Sequence, residues 1–415
     1  MRRRSLALSL VFFAVACGDA APATDESSTG TESAGTETGT QTGDGDGDGN
    51  EDPPPEPDEA ADELGPHPIG HTQLTLVDPE RDDRSLLLDV WYPAGEFDPR
   101  MAEPAGYLLG GIITLPSEVA WEGVPVAAQD EPVFLVFSHG YRGIDTQSFQ
   151  LCEALASHGF IVASPEHTGN SQADGSDDFD TAAANRVPDV SFVIDSFEAK
   201  SADPEDLFHE RIEGARYGVV GHSFGGMTSI GAAAGWAGAV PDPRVEAVAP
   251  ISAVIDGDLQ SDERNSPNAG FTPDQLGNVS LPVMLIGGTE DVAVPVGNNA
   301  LAFDWLTASS GVYRADIIGA NHTHFSNVCA IGQLLIDNGI PQEMWAAIGA
   351  ADLIEPYNAT CGPDAFPIDE AIRLQNLYVV AFFRKYLFGE DDYDHYLSPQ
   401  YAETESAIEY WEREE

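Results

Sequence analysis

A short glycine-flanked serine motif supplies the chain with a candidate nucleophile. The segment GHSFG at 221–225 fits the pattern Gly-x-Ser-x-Gly, in which small residues flank a serine held on a sharp turn between a strand and a helix. The preceding RYGVV is β-rich, and the following FGGMTSIGAAAGWAGA is typical of a helix that packs closely under a sheet. Because this context agrees with the motif, we predict that Ser223 is a nucleophile.

A serine hydroxyl needs a base to take its proton and a carboxylate to orient that base. Asp291 follows the apolar run VMLIGG and His322 follows the next run, YRADIIG, so both come after Ser223 in the order serine, acid, histidine. His324 competes with His322 for the role of base. Asp256, shortly after the run VEAVAPIS, is the alternative acid. We predict a catalytic triad of Ser223, Asp291 and His322.

The tetrahedral intermediate formed at such a serine needs two backbone N–H donors for its oxyanion. We expect one donor from Phe224, directly after the nucleophile, and the other from Tyr141, in the loop after VFLVFSHG. The side chain of His139 is expected to brace that loop. His167, in the segment SPEHTGNS, either lines the cleft or caps a loop.

The elements that must position these residues are predicted from eight β-rich apolar runs between residues 73 and 319. Helix-like stretches separate the later runs, which predicts an α/β fold with a mostly parallel sheet covered by helices on both faces. The first two runs lack an intervening helix and should form an antiparallel edge. Helices are predicted at 147–157, 188–200, 224–237 and 296–309 and near the C-terminus. The stretches 96–130, 254–278 and 327–367 are predicted to form a cap or walls of a cleft.

The N-terminus reads as an export signal. Three arginines precede the apolar run 6–16, and a small residue comes before Cys17, so we predict a signal peptide at 1–16. The segment AVACG resembles the lipobox of bacterial lipoproteins, in which the cysteine carries a lipid, although Ala14 stands where those proteins usually have leucine. Lipidation of Cys17 and plain signal cleavage both stay open. Either outcome predicts an exported protein, as a cell-envelope lipoprotein or extracellular.

Residues 17–66 are acidic, rich in Gly, Thr and Pro, and poor in apolar side chains, so we expect a disordered tether followed by a single domain at 67–415. The whole chain has a formal net charge of −52. Such an acidic surface excludes nucleic acid and anionic membranes as partners, and it leaves an N-terminal lipid as the route to a membrane. We expect a monomer.

The four cysteines bear on the fold of an exported chain. With Cys17 lipidated, three remain, so one must stay unpaired. Cys152 lies on the apolar face of a predicted helix, where a buried free thiol is usual. We therefore predict a disulfide between Cys329 and Cys361.

Four motifs in this order, WYPA, FSHGYRG, LASHGFIVASPEH and GHSFGG, resemble the platelet-activating-factor acetylhydrolase and dienelactone-hydrolase-like branch of the α/β-hydrolases. The resemblance spans about residues 68–325. It implies the α/β-hydrolase fold and hydrolysis of esters, often of short or oxidised acyl groups, without a metal or organic cofactor. The segment from His322 to Phe325 also matches the His-x-x-Phe pattern of this branch, which favours His322 over His324.

One segment departs from that resemblance. In the acetylhydrolases the acid follows the strand directly after the nucleophile helix, and here that strand, VEAVAPIS, has no carboxylate at its end. The segment PVMLIGGTEDVAVP instead resembles the acid segment of bacterial polyester hydrolases of the cutinase type. The expected function is therefore hydrolysis of carboxylic esters through an acyl-enzyme, on short-chain acyl esters, platelet-activating-factor-like lipids or polyesters. The alternative is a non-catalytic, surface-displayed binding lipoprotein on a hydrolase scaffold.

Overall fold

The computed structural model describes residues 54–109, 113–259 and 266–414. The predicted signal peptide, Cys17 and most of the predicted tether lie outside the described residues. Within them, eleven strands join in one sheet. They are β1 (Ile69–Asp78), β2 (Arg84–Pro93), β3 (Pro104–Leu109), β4 (Ile113–Glu122), β5 (Val133–Ser138), β6 (Phe160–Glu166), β7 (Arg216–His222), β8 (Val245–Ile251), β9 (Val283–Gly288), β10 (Gly311–Ile317) and β11 (Ile408–Glu414).

The strand order is β11-β10-β9-β8-β7-β5-β6-β2-β1-β4-β3. Six neighbouring strands, in the order β6-β5-β7-β8-β9-β10, run parallel. Strand β2 pairs with both β6 and β1 in antiparallel fashion. All eight predicted runs form strands, and the antiparallel N-terminal edge is present. The sheet and its helices therefore confirm the predicted α/β architecture.

Helices cover both faces of this sheet. They are α1 (Phe149–Ser157), α2 (Phe179–Ala202), α3 (Phe224–Ala234), α4 (Pro273–Leu276), α5 (Gly297–Trp305), α6 (Val328–Asp337), α7 (Ile354–Cys361), α8 (Ile368–Phe383) and α9 (Pro399–Ala402). Alternate residues of β5 show the two layers, because Leu135 and Phe137 enter one apolar core with α1 and α8, while Phe134 and Val136 enter the other with α2 and α3. No helix in the described ranges combines the length and the apolar character that crossing a bilayer requires.

Two edges of the sheet were not predicted. The stretch 96–130, expected to form a cap or wall, contributes β3 and β4, whose side chains alternate between buried and exposed positions. At the opposite edge, β11 has the polar sequence IEYWERE and pairs with β10. Charged residues on an edge strand protect it from pairing with other chains, and the charges of β11 make it hard to recognise in a sequence.

Helix α2 begins earlier than predicted. Pro188 suggested a start at 188, since proline is common in the first turn of a helix. The helix begins instead at Phe179, where the side chain of Asp178 accepts a hydrogen bond from the N–H of Thr181, and Pro188 lies inside it. The N-cap aspartate was therefore the correct start signal, and the correction adds Arg186 to this helix.

The predicted tether ends sooner than residue 66, because residues 54–66 pack on the domain. Ala61 is fully buried, the carbonyl of Glu59 accepts from Tyr393, and the N–H of Gly65 donates to Ser157. Ion pairs of acidic residues in this segment with Arg373 and Arg384 add to the contact. The acidic and proline-rich composition concealed this docking, since it depends on partners distant in sequence.

Candidate active site

Ser223 occupies the sharp turn between β7 and α3. Its backbone has φ 61° and ψ −118°, a region that non-glycine residues rarely adopt. The N–H of Ser223 donates to the carbonyl of Ile251 at the end of β8, at 2.8 Å, which holds the turn against the sheet. A strained serine fixed in this way is typical of a nucleophile whose hydroxyl must project from the sheet edge.

The two glycines of the motif are required by space. A Cβ at Gly225 would lie 1.7 Å from the carbonyl oxygen of Ser138, and one at Gly221 would lie 2.3 Å from the carbonyl oxygen of Gly225. Since any side chain at either position would clash with backbone atoms, the turn could not form with larger residues. The pattern Gly-x-Ser-x-Gly thus has a steric cause in this chain.

The structure brings Ser223, His322 and Asp291 together as the candidate triad. The Nε2 atom of His322 lies 3.0 Å from Ser223 Oγ, and its Nδ1 atom lies 2.7 Å from Asp291 Oδ2. The Asp291 side chain is fully buried, and its other oxygen accepts the N–H groups of Ala293 and Val294. In this arrangement the acid can fix the tautomer in which Nε2 faces the hydroxyl as a base.

Adjacent parallel strands explain why residues so distant in sequence meet. Asp291 follows β9 and His322 follows β10, and the carboxyl ends of β7, β9 and β10 share one edge of the sheet. His322 begins a 3₁₀ turn, His322–Phe325, capped by Asn321, whose side chain accepts from the N–H of Thr323. The strands set the position of each residue, and the short turns set its direction.

The competing residues have other contacts. His324 bonds to Asn321 and to the carbonyl of Phe366, so it holds the turn that carries His322. Asp256 is half-buried and its side chain accepts from the N–H of Asp258. The structure therefore joins Asp291 and His322, rather than Asp256 or His324, to the serine.

The two residues predicted to supply oxyanion donors are neighbours. Phe224 is the first residue of α3, where backbone N–H groups have no partner within the helix. Tyr141 follows β5, and its ring contacts the ring of Phe224 with centroids 5.3 Å apart. Both rings also contact Phe179, which forms an aromatic rim beside the serine turn. The role of these N–H groups stays a prediction.

His139 braces the loop after β5, as expected. Its Nδ1 atom bonds to the carbonyl of Gly140 at 2.7 Å, and its Nε2 atom accepts from the N–H of His167. Burial, and the nearby charge of Arg186, hold the pKa of His139 well below the ordinary range, so the ring is neutral. His139 therefore shapes the loop and has no free basic nitrogen.

His167 does neither of the two things expected of it, because it lies in the core. Its Nδ1 atom bonds to Asp189 at 2.8 Å and its Nε2 atom bonds to Ser138 at 3.0 Å. Sequence reasoning missed this cluster and with it the neighbouring Arg186. A signal was available, because a correct start for α2 would have placed the arginine on a face otherwise occupied by apolar residues.

Cys329 and Cys361 form a disulfide between α6 and α7, with Cα atoms 5.6 Å apart, and Cys152 is a buried free thiol. The bridge lies close to the base. Thr360, next to Cys361, donates to the side chain of Asn321, the cap of the His322 turn. In the described part of the chain, no group of three acidic, histidine or cysteine side chains is arranged to hold a metal ion.

Comparisons with known proteins agree with this architecture. The family model described as Chlorophyllase matches residues 122–296, a segment that includes Ser223 and Asp291 and ends before His322. A ferulic acid esterase from Streptomyces cinnamoneus is similar in structure, with a TM-score of 0.58 and 21% sequence identity over 83% of this chain and 96% of the esterase. No curated protein matches the sequence. The sheet topology and this structural likeness show that the chain has the α/β-hydrolase fold.

Proposed function

We propose that the chain hydrolyses carboxylic esters through an acyl-enzyme on Ser223. The observation that carries the proposal is the hydrogen-bonded chain from Ser223 through His322 to the buried Asp291, on the strained turn that projects the serine. The family match to Chlorophyllase and the likeness to a ferulic acid esterase support the same class of reaction.

The geometry fits two chemical steps. In the first, Ser223 Oγ attacks the ester carbonyl carbon while His322 Nε2 takes its proton, and the alcohol then leaves with that proton. In the second, His322 takes a proton from water as the water oxygen attacks the acyl carbon, and His322 then returns that proton to Ser223 Oγ as the bond to the acyl group breaks and the acid leaves. Asp291 stabilises the imidazolium formed in each step. The N–H groups of Tyr141 and Phe224 are proposed to bind the oxyanion in both.

The substrate is proposed to be a neutral ester with an apolar part, such as a short-chain acyl ester, a platelet-activating-factor-like lipid or a polyester. Half-buried rings of Tyr141 and Phe179 lie beside the serine turn, and the side chain of Val292, next to Asp291, is 75% exposed. The net charge of −52 disfavours anionic substrates, because it repels them from the surface.

A fluorophosphonate probe tests the proposal at the serine. Only a serine activated by a base and an oxyanion hole reacts quickly with such a probe, so the exported chain should be labelled and Ser223→Ala should not be. Hydrolysis of p-nitrophenyl esters of increasing acyl length then ranks the substrates. Labelling that survives Ser223→Ala, or no labelling at all, would favour the non-catalytic binding lipoprotein.

We further propose that the chain is exported and carries a lipid on Cys17. The n-region, the apolar run 6–16 and the lipobox-like AVACG support this, and the Cys329–Cys361 disulfide suits an oxidising compartment. Cys17→Ala should move the protein from the membrane fraction to the soluble fraction of the producing cell. The same distribution in both forms, with an uncleaved Met1, contradicts the proposal.

A further inference from the structure

The loop that carries Tyr141 is held by a buried arginine from a different element. Arg186, on α2, is fully buried, and its guanidinium donates to the carbonyl of His139 at 2.6 Å and to the carbonyl of Gly140 at 3.1 Å. These are the two consecutive carbonyls that precede Tyr141. One rigid planar group therefore fixes two successive peptide planes of this loop.

The direction of a carbonyl decides the direction of the next N–H. In a trans peptide the C=O and the following N–H point in opposite directions, so holding the Gly140 carbonyl toward Arg186 turns the Tyr141 N–H away from it. The guanidinium also polarises this amide, which makes its N–H a stronger donor.

A second side chain secures the same loop from the other side. The N–H of Gly140 donates to Gln147 Oε1 at 2.9 Å, and the amide nitrogen of Gln147 bonds to His222, the residue before the nucleophile. The peptide between His139 and Gly140 is thus held at both ends, by Arg186 at its carbonyl and by Gln147 at its N–H. The loop and the serine turn are fixed relative to each other.

Arg186 also touches the other predicted donor residue. Its guanidinium carbon lies 4.8 Å from the centre of the Phe224 ring. Its other hydrogen-bond partners among the described residues are Asn170 at 2.6 Å and Ser138 at 3.1 Å, and none of these partners is a carboxylate. Burial lowers the pKa of Arg186 to about 9, because loss of water makes the charged guanidinium less favourable at this position. A buried cation bonded to carbonyls of one loop has a specific task there.

We propose that Arg186 is a positioning residue of the oxyanion hole, which aims the Tyr141 N–H at the tetrahedral intermediate. The assignment rests on the proposed ester hydrolysis at Ser223. It makes α2 a part of the active site although no residue of that helix belongs to the candidate triad. It also separates the task of Arg186 from that of Asp291, since one prepares the oxyanion donors and the other prepares the base.

The test compares Arg186→Gln and Arg186→Lys with the unaltered chain on p-nitrophenyl acetate and on a boronic acid that forms a tetrahedral adduct with the serine. We expect kcat to fall about 10²-fold in Arg186→Gln and about tenfold in Arg186→Lys, with KM within about threefold. Boronate affinity should fall in parallel with kcat/KM, because both depend on the same N–H groups. The pH at which activity declines should stay in place, since the base is untouched.

Arg84→Gln is the matched control. Arg84 donates to Asp189 and to the carbonyl of Thr168, so its loss disturbs the polar network beside Arg186 without releasing the loop. Circular dichroism and thermal melting establish that each variant is folded. A folded Arg186→Gln with unaltered kcat, or an equal loss of kcat and boronate affinity in Arg84→Gln, overturns the assignment.

Three further outcomes are decisive. If the unaltered chain reacts with neither ester nor probe, the proposed function fails and the assignment fails with it, whereas normal activity in both Arg186 variants refutes the assignment alone. If both Arg186 variants unfold, Gln147→Met decides, because it releases the N–H of Gly140 at the other end of the peptide that Arg186 holds. We then expect kcat to fall about tenfold at unaltered KM, and unaltered kcat counts against the proposal.

Discussion

The described part of the domain contains two chains of hydrogen bonds in which a serine meets a histidine and that histidine meets an aspartate. The candidate triad is Ser223, His322 and Asp291, and the buried triad is Ser138, His167 and Asp189. Their distances are almost the same, with 3.0 and 2.7 Å in the first and 3.0 and 2.8 Å in the second. The surroundings of the two triads therefore have to explain why only one suits catalysis.

Access is the first difference. The His322 side chain is 12% exposed and Ser223 is half-buried, so a substrate can reach both. The exposed fraction of the His167 side chain is 1%, and Ser138 and Asp189 are fully buried. An ester cannot approach the buried triad without opening the core, whose packing is close.

Backbone and charge are the second difference. Ser223 sits on a strained turn before a helix, whereas Ser138 ends the extended strand β5, and its hydroxyl accepts a hydrogen bond from Arg186. Burial, and then the charge of Arg186, outweigh the hydrogen bond to Asp189 and lower the pKa of His167 to about 3. A base this weak takes a serine proton poorly near neutral pH. Equal hydrogen bonds thus fit the proposed catalysis in one place and packing in the other.

The largest expected effect separates the two serines. Ser223→Ala should lower kcat by about 10⁶-fold, because the nucleophile is lost and the remaining groups cannot act without it. Ser138→Ala should lower kcat by less than about tenfold, since Arg186 keeps its bonds to the loop carbonyls. Initial rates on p-nitrophenyl acetate measure both. Comparable losses in the two variants would show that burial does not silence the second serine.

The acids offer the next comparison. Asp291→Asn should lower kcat by about 10³ to 10⁴-fold with the fold intact, because an asparagine cannot hold the required tautomer of His322 or stabilise its charged form. Asp256→Asn should lower kcat by less than about tenfold, since among the described residues its side chain bonds to the nearby N–H of Asp258 and not to His322. Steady-state kinetics on both variants decide between the two acids, and the opposite ranking would restore the acetylhydrolase-like placement.

The sequence predicted the candidate triad because its signals are short-range. The glycines around Ser223 belong to one turn, and Asp291 and His322 each follow an apolar strand by a few residues. Parallel strands with their carboxyl ends at one edge then bring the three together. No long-range contact had to be guessed beyond the strand order that the motif implies.

The buried triad could not be predicted in the same way. Asp189 lies in α2, where a lone aspartate is typical of the solvated face of a helix, and its partner Arg84 is 105 residues away in β2. The packing of Ala61 on the domain and the edge strand β11 were missed for the same reason, because both depend on contacts with residues distant in sequence. Local patterns give the type of an element, whereas contacts between distant polar residues depend on packing that periodicity does not report.

Asp189 should matter for stability. It accepts hydrogen bonds from Arg81, Arg84 and His167 while fully buried, which holds its pKa below the ordinary range despite the cost of burial. Asp189→Asn removes the carboxylate that pairs with the largely buried Arg84 and should lower the free energy of unfolding by about 3 to 5 kcal/mol. Urea unfolding followed by tryptophan fluorescence measures this change.

A surface aspartate of the same helix is the control for that experiment. Asp195 pairs with Arg244, and its side chain is 63% exposed. Asp195→Asn should lower the free energy of unfolding by less than about 1 kcal/mol, because solvent screens an exposed pair. If the two substitutions destabilise the chain equally, the buried triad is no more important to the fold than an ordinary surface ion pair.

The smallest expected effect is a pH dependence of the free energy of unfolding that comes from His167 of the buried triad. His167 stays neutral in the folded chain down to its pKa of about 3, whereas the unfolded chain binds a proton at this residue below its ordinary pKa of 6.5. Folding stability should therefore fall as the pH drops from 6.5 toward 3, with His167 contributing about 1.4 kcal/mol per pH unit. Urea midpoints between pH 4.5 and 6.5 measure this slope, to which the buried His139 and His222 contribute with the same sign because burial lowers their pKa values too. His167→Gln should remove this share of the slope.

His71 gives the folding stability a pH dependence of the opposite sign. Burial lowers its pKa, but hydrogen bonds to Asp89 and Glu122 outweigh that effect and raise it to about 9. Its contribution to stability is fully present below pH 6.5 and is lost as the pH rises through 9. His71→Gln should therefore reduce the fall in the free energy of unfolding between pH 6.5 and 9 and leave its slope below pH 6.5 unaltered. An acid slope that His167→Gln does not reduce would mean that His167 is protonated in the folded chain. The buried triad would then hold an imidazolium between Asp189 and Ser138, and it would differ from the candidate triad in access and in the backbone of its serine.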